Sequence, residues 1–162
     1  YGHSSFSLPY KCRSNLMSAT NAFETDLLEL IFTNVDLTNV GDAGGLQNSA
    51  TAGSFYISLH TGDPGETGSQ TTSEAAYTSY ARVAVARSGA GWTVSGNNVS
   101  NAAAITFPAC TGSSSTVTHF GIGSDSSGSG NLFFKGALGA SLAVSTGITP
   151  SFAIGELDVN AD

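Results

Sequence analysis

One stretch limits the possible folds of this chain more than any other. In residues 54–61, apolar side chains alternate with polar ones, which is the pattern of a strand with one buried face and one solvated face. The strand is followed by Asp-Pro-Gly at residues 63–65, where proline sets the first central position of a turn and glycine accepts the positive φ of the second. The pattern predicts a half-buried strand that ends in a fixed corner, with His60 on its solvent-facing side.

Similar short alternating segments recur at the spacing typical of β-sandwiches. Turns rich in glycine separate them, and no crossover helix recurs between them as a parallel sheet would require. With the first strand they make about eight strands, and the sequence therefore predicts a mainly β protein, a single antiparallel β-sandwich that is jelly-roll-like. The further predicted strands are 80–87, 92–95, 103–107, 117–123, 132–138, 142–146 and 152–159.

One segment ahead of the strands has helical periodicity instead. Asn21 is predicted as the N-cap, with Glu24 in the capping-box position three residues later. We expect a helix over about residues 22–33 that acts as a lid on the open end of the sheet. Four apolar residues share its predicted buried face: Phe23, Leu27, Leu30 and Ile31.

The first 16 residues differ from the rest in charge and pattern. They contain two bases and no acid, whereas residues 17–162 hold the other 3 bases and all 12 acids. We therefore expect two parts, an extended arm over residues 1–16 and a β-sandwich domain with its leading helix over residues 17–162. The arm either docks on a partner or is a loose tail. Its candidate partner-contact residues are Tyr1, Phe6, Leu8, Tyr10, Lys11 and Arg13.

Charge and hydropathy exclude two classes of partner. The net charge of −7 would repel a phosphate backbone, so we expect no nucleic-acid binding. No apolar run approaches the ~20 residues of a membrane helix, so we expect no membrane contact. Cys12 and Cys110 are either bridged or two separate thiols, and the sequence does not decide between these.

Residues that could carry chemistry are few and scattered. His60 and Asp63 could form half of a metal site or a base with its orienting group, but no second ligand cluster accompanies them. Residues 125–130 lack the ligands that a calcium loop needs at its third and fifth positions, and are better interpreted as a hairpin tip. We expect no catalytic residues, no metal and no cofactor, with Asp63 bonding within its own turn.

The order of several motifs resembles a family of small virion proteins of tailed bacteriophages, whose members are often labelled tail-fibre-like. The resemblance covers about residues 17–160, and Met-Ser-Ala-Thr at 17–20 is similar to a usual starting point, so the arm is a departure from the family. The motifs that carry the resemblance are the helix at 23–32, Ser-Leu-His-Thr-Gly-Asp-Pro at 58–64, Tyr-Ala-Arg at 80–82, Ile-Thr-Phe-Pro at 105–108, Val-Thr-His-Phe-Gly-Ile at 117–122 and Asn-Leu-Phe-Phe-Lys-Gly-Ala-Leu at 131–138.

The resemblance implies a structural component of a phage particle, and not an enzyme. Within that class we favour a capsid decoration or cement protein on the head surface, self-associated as a homotrimer and bound to the major capsid protein. One alternative is a tail-fibre or tail-tip subunit that contacts the host. A second is a carbohydrate-binding sandwich, for which Tyr56, Tyr77 and Tyr80 are the dispersed aromatic candidates.

Overall fold

The computed structural model describes residues 19–161, which form one helix followed by antiparallel strands. Helix α1 spans Asn21–Leu28 and continues into a π-helical segment, Glu29–Thr33. The prediction of a mainly β protein with one helix ahead of the strands is confirmed. The strands of the described residues are β1 Ser54–His60, β2 Val83–Ala86, β3 Trp92–Ser95, β4 Asn98–Asn101, β5 Ile105–Thr106, β6 Ser115–Gly123, β7 Leu132–Val144, β8 Ser151–Phe152 and β9 Asp158–Asn160.

The strands pair into three antiparallel sheets. The largest has the strand order β2-β1-β6-β7, the second has the order β3-β4-β9, and β5 pairs with β8. β1 and β6 are therefore the two central strands of the largest sheet, and β2 and β7 are its edges. The predicted strand over 54–61 and the predicted hairpin of 117–123 with 132–138 are both present.

A hydrophobic core lies between the four-stranded sheet and a second layer made of the helix and the smaller sheets. Phe32 of the π-helical segment packs on Phe55 of β1, with ring centroids 5.2 Å apart, and on Trp92 of β3 at 4.8 Å. Farther along, Phe152 of β8 lies 5.9 Å from Phe120 of β6. These contacts close a sandwich-like body, and each such ring pair adds about 0.5–1.5 kcal/mol beyond the area that it buries.

The cap of the helix differs from the prediction. Thr20 has extended backbone angles, and its hydroxyl oxygen accepts a hydrogen bond from the backbone N–H of Phe23 at 3.4 Å. The first turn therefore begins one residue earlier than the sequence pattern indicates. The predicted capping box of Asn21 and Glu24 is wrong, because Glu24 lies four residues after the true N-cap.

The buried side of the helix also differs from the prediction. Glu24, Leu28 and Phe32 are buried at a spacing of four residues, whereas Phe23 is 43% exposed. Because Leu27 and Leu28 are adjacent, the apolar pattern alone fits either of two faces. The choice is made by tertiary packing, since Phe32 fits between the aromatic side chains of β1 and β3.

The pairing of β7 has a large irregularity that explains why the sequence pattern divides it. His119 of β6 pairs with Ala137 of β7, and the next pair along the ladder is Val117 with Leu142. Residues 138–141 therefore bulge away from the ladder opposite the single residue Thr118, which makes this one of the larger, special β-bulges. The two predicted strands, 132–138 and 142–146, correspond to the paired segments on either side of this bulge.

Three other predicted strands change their limits. Residues 80–87 narrow to β2, residues 103–107 narrow to β5, and residues 152–159 divide into β8 and β9. Strand β3 ends in a two-residue turn, because Ser95 pairs directly with Asn98, and Gly96 in this turn has φ 63°. Strand β4 follows that turn and is absent from the prediction, since its polar residues lack a strong alternating pattern.

Several predictions concern residues outside the described range. The six candidate partner-contact residues of the arm lie there, as does Cys12, so both remain predictions. The thiol of Cys110 is buried, and its sulfur lies within hydrogen-bonding distance of the carbonyl groups of Gly112 and Ser113. Within residues 19–161, no helix has the length and hydropathy that a membrane span requires.

Candidate functional site

A layer of buried polar side chains lies on the face of the four-stranded sheet that is turned away from the aromatic core. Ser58 and His60 of β1 and Gln70 have no exposed surface. Gln70 and Thr72 of the following segment lie over this face, since the Gln70 amide donates to the carbonyl oxygen of Tyr56 and the Thr72 carbonyl oxygen lies 2.8 Å from the His60 ring. Farther along, Glu74 forms a backbone bridge with His60 at the edge of β1. The prediction that His60 faces solvent is wrong, because alternation identifies two faces of a strand but does not show what covers the second.

The hydrogen bonds of His60 define its protonation state. Its Nδ1 lies 2.8 Å from the backbone carbonyl oxygen of Thr72, which can only accept, so Nδ1 carries the proton. Its Nε2 lies 2.8 Å from the hydroxyl of Ser58 and accepts from it. Burial lowers the pKa of His60 below its ordinary value, although the Thr72 bond and the charge of Glu74 oppose this, and the ring is therefore neutral at pH 7.

This serine–histidine pair has the hydrogen bond of an activated nucleophile, but it is enclosed. Neither Ser58 nor His60 has any surface that a substrate could contact. A Cβ at Gly121 of β6 would lie 2.7 Å from the Ser58 hydroxyl and 2.8 Å from His60 Nε2, so the sheet itself approaches the pair closely. The arrangement acts as packing that satisfies its own hydrogen bonds. Glycine at alternate positions of β6, Gly121 and Gly123, is the sequence signal that could have revealed this layer.

A buried ion pair fastens the hairpin of β6 and β7 to the same segment. Arg82 donates to both carboxylate oxygens of Glu74, at 2.7 and 2.8 Å, and its side chain is 2% exposed. The remaining guanidinium donors reach the carbonyl oxygens of Asp125 and Gly128 in the hairpin tip, at 2.8 and 2.7 Å. The hydroxyl of Tyr80 donates to Glu74 at 3.0 Å. The hairpin tip is thus held by the guanidinium group of Arg82. In residues 19–161, no cluster of three or more His, Cys, Asp or Glu could hold a metal ion.

Asp63 is used in its own turn, as predicted, and not beside His60. Its Oδ1 accepts from the backbone N–H of Gly65 at 2.9 Å, and the Nζ of Lys135 lies 3.0 Å from the same oxygen. The Gly65 bond and then Lys135 lower the pKa of Asp63. Lys135 also lies 3.1 Å from Glu66, so this cation joins the corner after β1 to the edge strand β7.

The tyrosines considered for sugar binding do not form a common surface. Tyr77 is buried, and its hydroxyl donates to the carbonyl oxygen of Pro108 at 3.0 Å. Tyr80 packs against Tyr77 with ring centroids 5.3 Å apart. Two of the three candidate rings therefore pack against the interior and do not form an exposed stacking surface with Tyr56.

A groove follows the outer edge of β7, and we call it the edge groove. One part, of about 500 Å³, lies between β7, the loop at 65–68 and strand β9. A second part, of about 340 Å³, continues between β7 and β8, and the two parts share Phe120 and Ala137 in their walls. β7 is the last strand of its sheet and β9 the last strand of the second, so both layers of the sandwich end at this groove.

The walls of the edge groove are apolar at the base and acidic at the rim. Phe133 is 50% exposed there. Three acids line the groove against the single base Lys135: Glu66, Glu156 and Asp158. Sequence reasoning did not find this surface, because its walls come from segments that are far apart in the chain.

A family model described as "Podophage GP4 fiber I protein gp80" matches residues 18–160. No curated protein matches the chain. The matched range includes the helix, every strand of the described residues and both walls of the edge groove, and it begins after the arm.

Proposed function

This chain belongs to the podophage GP4 fiber I protein gp80 family, and from that premise we propose that it is a subunit of a fibre on the phage tail. Family membership makes it a phage structural protein of the fibre type and a component of the virion. The assignment to the tail is supported by the fibre description of a family model that covers 18–160, the whole of the described fold.

The proposed role is mechanical, with no catalytic step. The enclosed Ser58–His60 pair and the ion pair of Arg82 with Glu74 fasten the segment 61–82 and the hairpin tip to the sheet. These are the polar side chains that a catalytic site would need to present to a substrate. Their use in holding loops supports a rigid scaffold that is assembled with other chains.

Capsid decoration is the second candidate function. In this proposal the chain would bind the major capsid protein on the head surface and tie neighbouring capsid subunits together. It is favoured by the contrast between a basic arm and an acidic body, since a small domain with such an arm can link two neighbours. Both proposals include self-association, with a homotrimer as the expected state, and neither includes contact with nucleic acid or membrane.

The two candidates predict different defects in particles that lack this chain. A fibre subunit predicts intact heads, missing fibres in negative-stain micrographs and a loss of adsorption to host cells. A decoration protein predicts normal fibres and adsorption, with heads that rupture at lower temperature. Particles with neither defect would contradict both proposals, and adding the purified chain back should restore the missing property.

A further inference from the structure

We propose that the edge groove binds the arm of a second copy of this chain, with residues 5–11 added as a strand along β7. The inference rests on the proposed function, because a fibre subunit has to be joined to other copies. It identifies the surface and the segment that make the joint.

The outer edge of β7 offers unpaired backbone groups to such a strand. β7 is the last strand of the four-stranded sheet, and none of residues 19–161 pairs with its outer side. It runs from Leu132 to Val144, with Lys135 as its only charged residue. Long apolar edges of this kind are templates for another strand, and soluble proteins ordinarily block them with charges, proline or a covering segment. Residues 134–137, before the bulge, pair with β6 in one continuous register, and their outer side is regular enough for main-chain pairing with an added strand.

The groove beside this edge provides space for large side chains. Phe120, Phe133 and Phe134 line the larger part, whose volume is about 500 Å³. An added strand would direct every second side chain into that space. The occupant should therefore carry large apolar residues two positions apart.

The arm has that spacing. Phe6, Leu8 and Tyr10 alternate with Ser5, Ser7 and Pro9. In an extended conformation the three large side chains share one face. If the backbone groups of residues 6, 8 and 10 pair with β7, those of Pro9 point away from it, so its missing N–H is tolerated at the new edge.

Charge complements shape at this surface. The arm carries Lys11 and Arg13 and no acid, whereas Glu66, Glu156 and Asp158 line the groove against Lys135 alone. Lys135 is itself within 3.1 Å of Glu66 and 3.0 Å of Asp63. The rim therefore has an excess of negative charge, which attracts the basic end of the arm.

The arm is long enough to reach a neighbour. Residues 1–18 span up to about 60 Å when extended, whereas a folded body of this size has a radius of gyration of only about 15 Å. The donor and acceptor surfaces differ, so the contact is heterologous. Such a contact closes into a ring, as in the expected homotrimer, or continues into a filament.

A mixing experiment with two full-length variants tests this arrangement. The first, Phe6→Ser with Leu8→Ser and Tyr10→Ser, keeps the groove and disables the arm. The second, Phe133→Asp, keeps the arm and places a charge in the groove. Native mass spectrometry and light scattering after gel filtration would give the mass of each variant alone and of the mixture.

The expected result is an oligomer for the unaltered chain, a monomer for each variant alone and a 1:1 complex on mixing, because one intact arm then meets one intact groove. An oligomer of the arm variant alone would overturn the proposal in favour of direct pairing of β7 edges. A monomeric unaltered chain, or no complex on mixing, would overturn it in favour of an arm that folds onto its own copy or makes no contact.

Two further variants control for misfolding and for general surface effects. Ala137→Asp alters the groove at an exposed small residue, so it should fold normally and should also be a monomer alone. It therefore replaces Phe133→Asp in the test if Phe133→Asp unfolds the sheet. Ile154→Asp changes the most exposed large apolar residue of the described chain, which lies outside the groove, and should leave the oligomer intact. Loss of the oligomer in Ile154→Asp would refute the assignment to the groove. These measurements report only the association of purified chains and not the position of the chain on the virion. Failure of this joint is therefore distinguishable from failure of the proposed function.

Discussion

Replacing Arg82 by methionine should unfold the protein at markedly lower denaturant concentration. The arginine side chain is 2% exposed and donates four hydrogen bonds, two to Glu74 and one each to the carbonyl groups of Asp125 and Gly128. Methionine has a similar length but donates none of them. The Glu74 carboxylate, 17% exposed, would then retain the Tyr80 hydroxyl as its donor.

The size of the effect follows from the unpaired charge. Removing one partner of a buried ion pair costs about 3–5 kcal/mol, because the other charge remains desolvated. For a domain of this size 1 kcal/mol corresponds to roughly 2–4 °C in the thermal midpoint, which gives a decrease of roughly 6–20 °C. Trp92, the single tryptophan and 1% exposed, provides the fluorescence signal for a urea titration.

A double-mutant cycle with Glu74→Gln separates the ion pair from general packing. In the Arg82→Met protein, Glu74→Gln removes the carboxylate charge that has lost its partner. The double variant should therefore be more stable than Arg82→Met alone. Hydrogen exchange should increase in the hairpin tip, residues 124–131, in the arginine variant. Lys135→Met, which removes a partly exposed cation, serves as the control and should not shift the midpoint measurably. A loss below about 1 kcal/mol for Arg82→Met, or no recovery in the double variant, would show that this ion pair does not hold the hairpin tip.

Three other perturbations test the buried polar layer and the arm. Gly121→Ala should lower the free energy of unfolding by about 1–3 kcal/mol in urea, because its methyl group would lie 2.6 Å from Leu132 and 2.8 Å from His60, whereas Gly139→Ala meets nothing within 4 Å and should be neutral. The free energy of unfolding should fall as the pH drops below about 6.5, because His60 then binds a proton in the unfolded state but stays neutral in the folded one. His60→Gln should remove this part of the pH dependence of the urea midpoint. Deleting residues 1–16 should preserve a cooperative Trp92 unfolding transition, because side chains from Leu28 to Leu157 form a continuous hydrophobic core. The deletion should also lower the occupancy of the chain on particles, counted by quantitative immunoblot. Undiminished occupancy would contradict a tethering arm.

Local pattern was sufficient for the elements whose residues decide their own structure. The alternation in 54–61 predicts β1, and the apolar runs on either side of the tip at 124–131 predict the hairpin of β6 and β7. The pattern divides β7 into two strands, whereas the structure has one strand with a bulge at 138–141. β4 was missed, since its polar residues are held in place by two neighbouring strands and have little strand pattern of their own.

The candidate site depended on contacts that no local pattern contains. The strand pattern predicts His60 on the solvent side, because alternation cannot show that Gln70 and Thr72 lie over that face. The edge groove was not predicted, since its walls meet only after 65–68, 132–137 and 158–160 have been brought together by two sheets. The arm, in contrast, was identified by its charge and spaced aromatic residues, which are properties of sequence alone.

The most direct test of the proposed role is the position of this chain on the intact phage. Virions would be labelled with gold-conjugated antibody fragments raised against the folded domain and imaged by cryo-electron microscopy, with particles lacking the chain as the control for specificity. A subunit of the tail fibre predicts label on the tail fibres, at a constant spacing from the tail. Label distributed over the head surface, or its absence from purified virions, would contradict it.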